Sequence, residues 1–144
     1  MQSRNIVCLS SLLCLLLLCN ALLFTPAVLS QDLSSSPLQS CPESPNCVHQ
    51  THSYQILSSD LSDHVIAVLK EMGAESIDIG QVDHHEIHAV FKVWTFRDDV
   101  HIAITQLRDS ATLYIRSASR KGHNDLGVNK RRVKKFLSAL DKAI

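Results

Sequence analysis

Four runs of alternating apolar and polar residues, separated by short gaps, fill the middle of this chain and restrict it to a sheet. Ile87 to Trp94 sets Ile87, Ala89, Phe91 and Val93 on one side, and Val100 to Thr105 does the same with Val100, Ile102 and Ile104. Thr112 to Ser119 alternates through Leu113 and Ile115. A weaker run, Glu75 to Val82, puts Ile77, Ile79 and Gln81 on one face. Period two marks half-buried strands, and short gaps join neighbours into an antiparallel meander.

Helical spacing flanks these runs. Leu61, Val65, Val68, Leu69 and Met72 share one face of a helix over Asp60 to Met72, with Ser59 or Asp60 as cap and Gly73 as stop. A last helix starts between Asp125 and Asn129 and buries Val133, Phe136, Leu137 and Leu140. The expected fold is α+β: a two-layer sandwich with a four-stranded antiparallel meander and two helices packed on one face, in the order α-β-β-β-β-α. The helices cover the face that carries Ile87, Ala89, Phe91, Val93, Ile102, Ile104, Leu113 and Ile115.

Turn placement then sets the register. A two-residue turn at Arg97-Asp98 opposes Val93 to Ile102 and Phe91 to Ile104. A turn at Asp109-Ser110 opposes Ile104 to Ile115 and Thr105 to Tyr114. A slip by one residue would break the apolar face. The same pairing sets Asp99 opposite Arg120 and Val100 opposite Ser119. Asp98, Asp99, Ser119 and Arg120 then gather at one end of the sheet, where the second helix begins.

The chain has 144 residues, and its first thirty differ in kind from the rest. Arg4 is their only charged side chain, and Leu12 to Leu18 is leucine except for Cys14. This reads as a secretory signal over residues 1–30, cut between Ser30 and Gln31. An uncut anchor over Val7 to Leu29 and a lipoprotein cysteine at Cys19 are the rivals. Each exports the domain, to a periplasm, a thylakoid lumen or the cell exterior. Residues 31–40 are Ser-rich with Pro37 and read as a flexible linker. Residues 41–144 remain for a single domain. Beyond the signal only Cys41 and Cys47 are left, separated by the turn-rich Pro42-Glu43-Ser44-Pro45-Asn46. In an oxidising compartment the two are expected to pair.

Charge is divided along the chain. Gln31 to Ile115 holds 4 basic and 12 acidic residues, net −8, while Arg116 onward holds 9 basic and 2 acidic, net +7. The near-neutral sum argues against a nucleic-acid partner. A basic end can hold anions or an anionic membrane surface, or simply attract the acidic half.

The segment from Arg116-Ser117-Ala118-Ser119-Arg120 to Asp125-Leu126-Gly127-Val128-Asn129 leaves a strand and enters that basic helix. With Cys41-Pro42-Glu43-Ser44-Pro45-Asn46-Cys47-Val48 and the Asp98-Asp99-Val100 turn, it resembles the bacterial and plant family called domain of unknown function 1499. The resemblance runs from Cys41 to about Leu140, and His88-Ala89 also resembles a family position. His49-Gln50 and His123-Asn124 are not required by the family pattern. The resemblance implies an exported or membrane-linked single domain and supplies no substrate.

Ligand-site expectations centre on this segment. Arg116 and Arg120 can each grip a carboxylate or phosphate with two bonds. Ser117 and Ser119 face the core side, and the helix start offers free N–H groups. Asp98, Asp99, Arg116, Ser117, Ser119, Arg120, Asp125 and Asn129 are therefore the candidates for an anion-binding pocket at the sheet end. The competing reading is a clamp, in which Asp99 pairs with Arg120 and Asp125 caps the helix. Asp98, Asp99, Ser119 and His123 supply base and nucleophile types for a hydrolase or transferase, but no G-x-S-x-G elbow accompanies them. Binding without catalysis or cofactor is the expectation.

The outer sheet face carries His88, Val90, Lys92, Trp94, His101, Ala103, Thr105, Tyr114 and Arg116. In the expected register His101 opposes Trp94, and His88 and His101 are not neighbours. His84 and His88 stand about 13 Å apart at strand rise, too far to share one metal. The histidines accordingly read as surface residues. His88, Trp94 and His101 are kept as candidates for docking an envelope protein, the role of a structural envelope module.

Overall fold

In the computed structural model, residues 36–80, 85–122 and 124–144 are described. The N-terminal signal or anchor, Cys19, residues 31–35, Gln81, His84 and His123 lie outside them. Seven elements follow one another: β1 (Cys47–Tyr54), α1 (Ser58–Glu71), β2 (Ser76–Ile79), β3 (Glu86–Val93), β4 (Phe96–Leu107), β5 (Ser110–Ser119) and α2 (Val128–Ala143). The class is α+β as expected. The sheet, however, has five antiparallel strands in the order β1-β5-β4-β3-β2, so the chain runs β-α-β-β-β-β-α. Among the described residues no helix is long and apolar enough to cross a membrane.

The added strand is β1, and its sequence hides it. Val48, Gln50, His52 and Tyr54 oppose Ser117, Ile115, Leu113 and Ala111 of the core face, yet two of the four are polar. An edge strand needs only light apolar cover, so the alternation signal is lost. Val48 and Tyr54 alone pack against the core. The connection through α1 then carries the chain from this edge to β2 at the other.

Both hairpin turns fall elsewhere than expected. Val93 opposes Phe96 and Leu107 opposes Ser110, so the turns are Trp94-Thr95 and Arg108-Asp109. Trp94 and Arg108 hold positive φ of 55° and 53°, as the first central residue of a tight hairpin turn does. Ile102 therefore faces Ile87, Ile104 faces Leu113, Val100 faces Ser117 and Asp99 faces Ala118, replacing the expected partners. Both shifts are even, so the inward side of every strand is unchanged. Ile87, Ala89, Phe91, Ile102, Ile104, Leu113 and Ile115 form the buried core with Leu61, Val65, Val133, Phe136 and Leu140. Val93, beside the turn, is only partly covered.

Helix α1 starts at Ser58, with Leu57 before it and no side-chain cap, so neither Ser59 nor Asp60 takes that role. Gln106 substitutes from β4, its Oε1 accepting from the Ser58 N–H, while His85 Nε2 lies 2.7 Å from Ser58 Oγ. Gly73, with φ of 84°, follows Met72 and ends the helix as expected.

Candidate functional site

Two groups of polar residues stand out, on opposite sides of the sheet. The first lies under the sheet end. Asp98 points to the core side and is 2% exposed. Its Oδ2 accepts from Arg132 Nη2 at 2.6 Å, and the same guanidinium gives Nη1 to Asn129 Oδ1 at 2.7 Å and to Ser117 Oγ at 3.1 Å. It also lies over the Phe91 ring, 5.0 Å from the centroid. Asn129, fully buried, accepts from Ser117 Oγ and donates to Ser119 Oγ, Asp125 Oδ2 and the Asn46 carbonyl. Asn46 also accepts from the Ser119 N–H and donates to the Gly122 carbonyl. The loop between Cys41 and Cys47, which are joined by a disulfide, is thereby tied to the end of β5 and the start of α2.

The helix start already holds an anion of its own. Gly127 takes a positive φ of 75°, and the N–H groups of Gly127 and Asn129 donate to Asp125 at 2.9 and 2.6 Å. Burial works to raise the Asp125 pKa, but these hydrogen bonds outweigh it and hold the carboxyl below its ordinary value. Asp98, Ser117, Ser119, Asp125 and Asn129 do come together, and their hydrogen bonds run to one another and to Arg132. This is the arrangement of a clamp. Sequence reasoning missed Arg132 and Asn46. A basic residue on the buried side of an otherwise amphipathic helix was the available signal for the former.

The second group lies on the outer face. There β-pairing aligns one residue from every strand: His49 beside Arg116, Arg116 beside His101, His101 beside His88, and His88 beside Asp78. The expectation that His88 and His101 are not neighbours is overturned, because moving the turn to Trp94-Thr95 sets them directly opposite. Their rings stack at 4.4 Å, 6° from parallel. His88 Nε2 lies 2.8 Å from Asp99 Oδ1, and its Nδ1 lies 4.0 Å from Asp78 Oδ2. Arg120, beyond the end of β5, reaches back to Asp99 with Nε and Nη2 at 2.9 and 2.8 Å. The expected ion pair forms, although the two are not cross-strand partners.

Electrostatics follow from these contacts. Arg120 beside Asp99 lowers its pKa to about 2, against the opposing effect of burial and with help from His88. Burial pushes the His101 pKa down, and His88 and Arg116 push the same way.

Arg116, expected at the sheet end, stands in mid-face. It borders a cavity of about 410 Å³ together with His88, His101, Asp78, Glu86 and the chain at residues 37–39. Its Nε is enclosed and has no hydrogen-bond partner among the described residues. Ser36 Oγ lies 3.0 Å from His49 Nε2 at the next strand. Trp94, expected on this face, is instead at the hairpin turn, 82% exposed. With Phe96, Leu126, Lys121 and Arg131 it borders a second, more apolar cavity of about 300 Å³.

Comparison with known proteins adds a family and distant folds. The sequence model of a family described as protein of unknown function (DUF1499) matches residues 37–140. Among curated proteins none matches at a significant level. Similar solved structures include TTHA0849 from Thermus thermophilus, at 9% identity and TM-score 0.37, covering 67% of this chain and 95% of that one. A START superfamily protein from Mycobacterium smegmatis is similar at 14% identity and TM-score 0.36, covering 67% and 92%.

Proposed function

The chain belongs to the DUF1499 family of proteins of unknown function, and from that premise we propose that it is a binding domain for a small anion, held in the outer-face cavity. The observation that carries the reading is Arg116: a guanidinium in a cavity of about 410 Å³ whose Nε lacks a partner among the described residues. An enclosed donor without an acceptor is costly, and a carboxylate or phosphate satisfies it with two parallel bonds. The imidazoles of His88 and His101 beside it add donors and a flat wall. The sheet end, where Asp98 pairs with Arg132 and Asp125 occupies the N–H groups of the helix start, is set aside as the clamp.

The test is a thermal-shift and calorimetric screen of the full chain against phosphate, sulfate and small carboxylates. Arg116→Met keeps the fold and loses the response. A response equal in wild type and variant, or none with any anion, sinks the reading.

A second reading rests on Trp94. An indole held at positive φ and 82% exposed, beside Leu126 at 77%, makes the sheet end an apolar tip flanked by Lys121 and Arg131. Such a tip suits docking to an anionic lipid surface, the role of an envelope module. Trp94 is the chain's one tryptophan, so a blue shift of emission with anionic but not neutral vesicles is its signature.

An exported location belongs to the same proposal. The leucine-rich start and the Cys41–Cys47 disulfide support it. N-terminal sequencing of protein from a fractionated cell, reading from Gln31, tests export together with cleavage.

A further inference from the structure

We propose that His88, His101 and Asp99 form a binding site for one divalent first-row transition metal ion, of the zinc or cobalt type. The proposal shares the outer-face cavity with the anion reading but does not depend on it. Three observations carry it. One ligand atom from each of the three side chains lies within 4.8 Å of the others, and all three residues are part-buried. The two imidazoles sit at directly opposed positions of β3 and β4, so the backbone ladder fixes their spacing. The groups behind them are those that orient metal ligands.

Those rear groups are Asp78 and Arg120. Asp78 Oδ2 lies 4.0 Å from His88 Nδ1, on the far side of the ring from Asp99. At that distance Asp78 makes no hydrogen bond to Nδ1, but it stands where an outer carboxylate would orient the ring when Nε2 turns to a metal. Arg120 grips Asp99 from the solvent side and keeps it ionised. Ligating carboxylates are commonly held by such a hydrogen bond.

Two imidazoles and one carboxylate suit zinc, cobalt, nickel, copper or ferrous ions more than calcium or magnesium, which prefer oxygen alone. A metal would replace the hydrogen bond between His88 Nε2 and Asp99 Oδ1, and the His101 ring, now parallel to His88, would turn about its side-chain torsions to aim its lone pair at the same ion. Three protein ligands leave coordination open for water or an anion on the cavity side.

The test uses the full chain without a histidine tag, stripped with chelator, and titrated with Co²⁺ and Zn²⁺. Co²⁺ is expected to bind one per chain, give visible d–d absorption, and be displaced by Zn²⁺. Affinity is expected to fall more than 10-fold in His88→Gln and in His101→Gln, and about 10- to 100-fold in Asp99→Asn, by analogy with ligand-shell losses. Binding is expected to weaken as pH falls through the histidine range. Circular dichroism identifies any variant that fails to fold, and Asp78→Asn then serves as a milder variant with weakened binding.

Arg116→Met separates the two proposals. It is expected to keep the metal while losing the anion. Absence of stoichiometric Co²⁺ binding at micromolar concentration overturns the metal site, as does binding that both histidine variants leave unchanged.

Discussion

Arg132 of α2 donates to Asp98 of β4 at 2.6 Å, with both side chains less than one-tenth exposed. The two residues lie 34 positions apart in the chain and fasten the last helix to the sheet. Neither charge has water to fall back on, so each depends on the other.

Removing one partner is therefore expected to be severe. Arg132→Met or Asp98→Leu alone should cost about 3–5 kcal/mol, because a buried charge is left unpaired. The double variant should recover much of that loss. Urea unfolding measures all three, and additive losses would mean that the pair is not coupled.

Asn129 joins Ser117, Ser119, Asp125, Arg132 and the Asn46 carbonyl. Asn129→Ala should cost about 2–3 kcal/mol by leaving buried polar groups without partners. Asp125→Ala, which leaves the Gly127 and Asn129 N–H groups at the helix start without their acceptor, should cost about 1 kcal/mol. Thermal melts rank the two, and the reverse order would contradict the assignment of Asn129 as the hub.

His101 and Asp99 are among the side chains that give stability an acid dependence. His101 has its folded pKa depressed below 6.5, mainly by burial. The folded state thus binds fewer protons than the unfolded chain, and stability declines as pH drops below about 6.5. Asp99 has its folded pKa depressed from 3.8 to about 2. Its contribution is present above pH 3.8 and fades as pH falls toward 2. Solvent screening of the exposed Arg120 keeps that contribution to about 1 kcal/mol. His101→Phe should flatten the upper part of the stability–pH curve. An unchanged slope there would show that His101 does not titrate differently in the fold.

Trp94 holds a φ of 55° at the turn. Trp94→Asn, a residue that accepts the left-handed region, should raise stability by about 0.5–1 kcal/mol while removing the apolar tip. A higher melting temperature together with lost vesicle binding would connect strain with docking. A lower melting temperature would mean that the indole packs after all.

Much of the sheet was legible because period two reports which side chains face inward, and parity survives an even register shift. Ile87, Ala89, Phe91, Ile102 and Leu113 are core residues under both the expected and observed pairings. The turns were not legible. Arg97-Asp98 has better turn chemistry than Trp94-Thr95, and only the packed sheet outweighs the strain at Trp94. Strand β1 escaped because a polar edge strand leaves no alternation to read. The alignment of His49, Arg116, His101, His88 and Asp78 needs the register of all five strands, so no spacing in the sequence could report it.

The sequence by itself determined the α+β class, the inward face, the helical stripes and the Cys41–Cys47 pair, since periodicity and residue chemistry are local properties of the chain. Tertiary structure alone decided that Asp98 closes a buried clamp with Arg132 while Asp99, its neighbour, faces His88 on the other side. Adjacent strand residues point to opposite faces, and which partners await each one is set by the turn positions that the whole packed sheet selects.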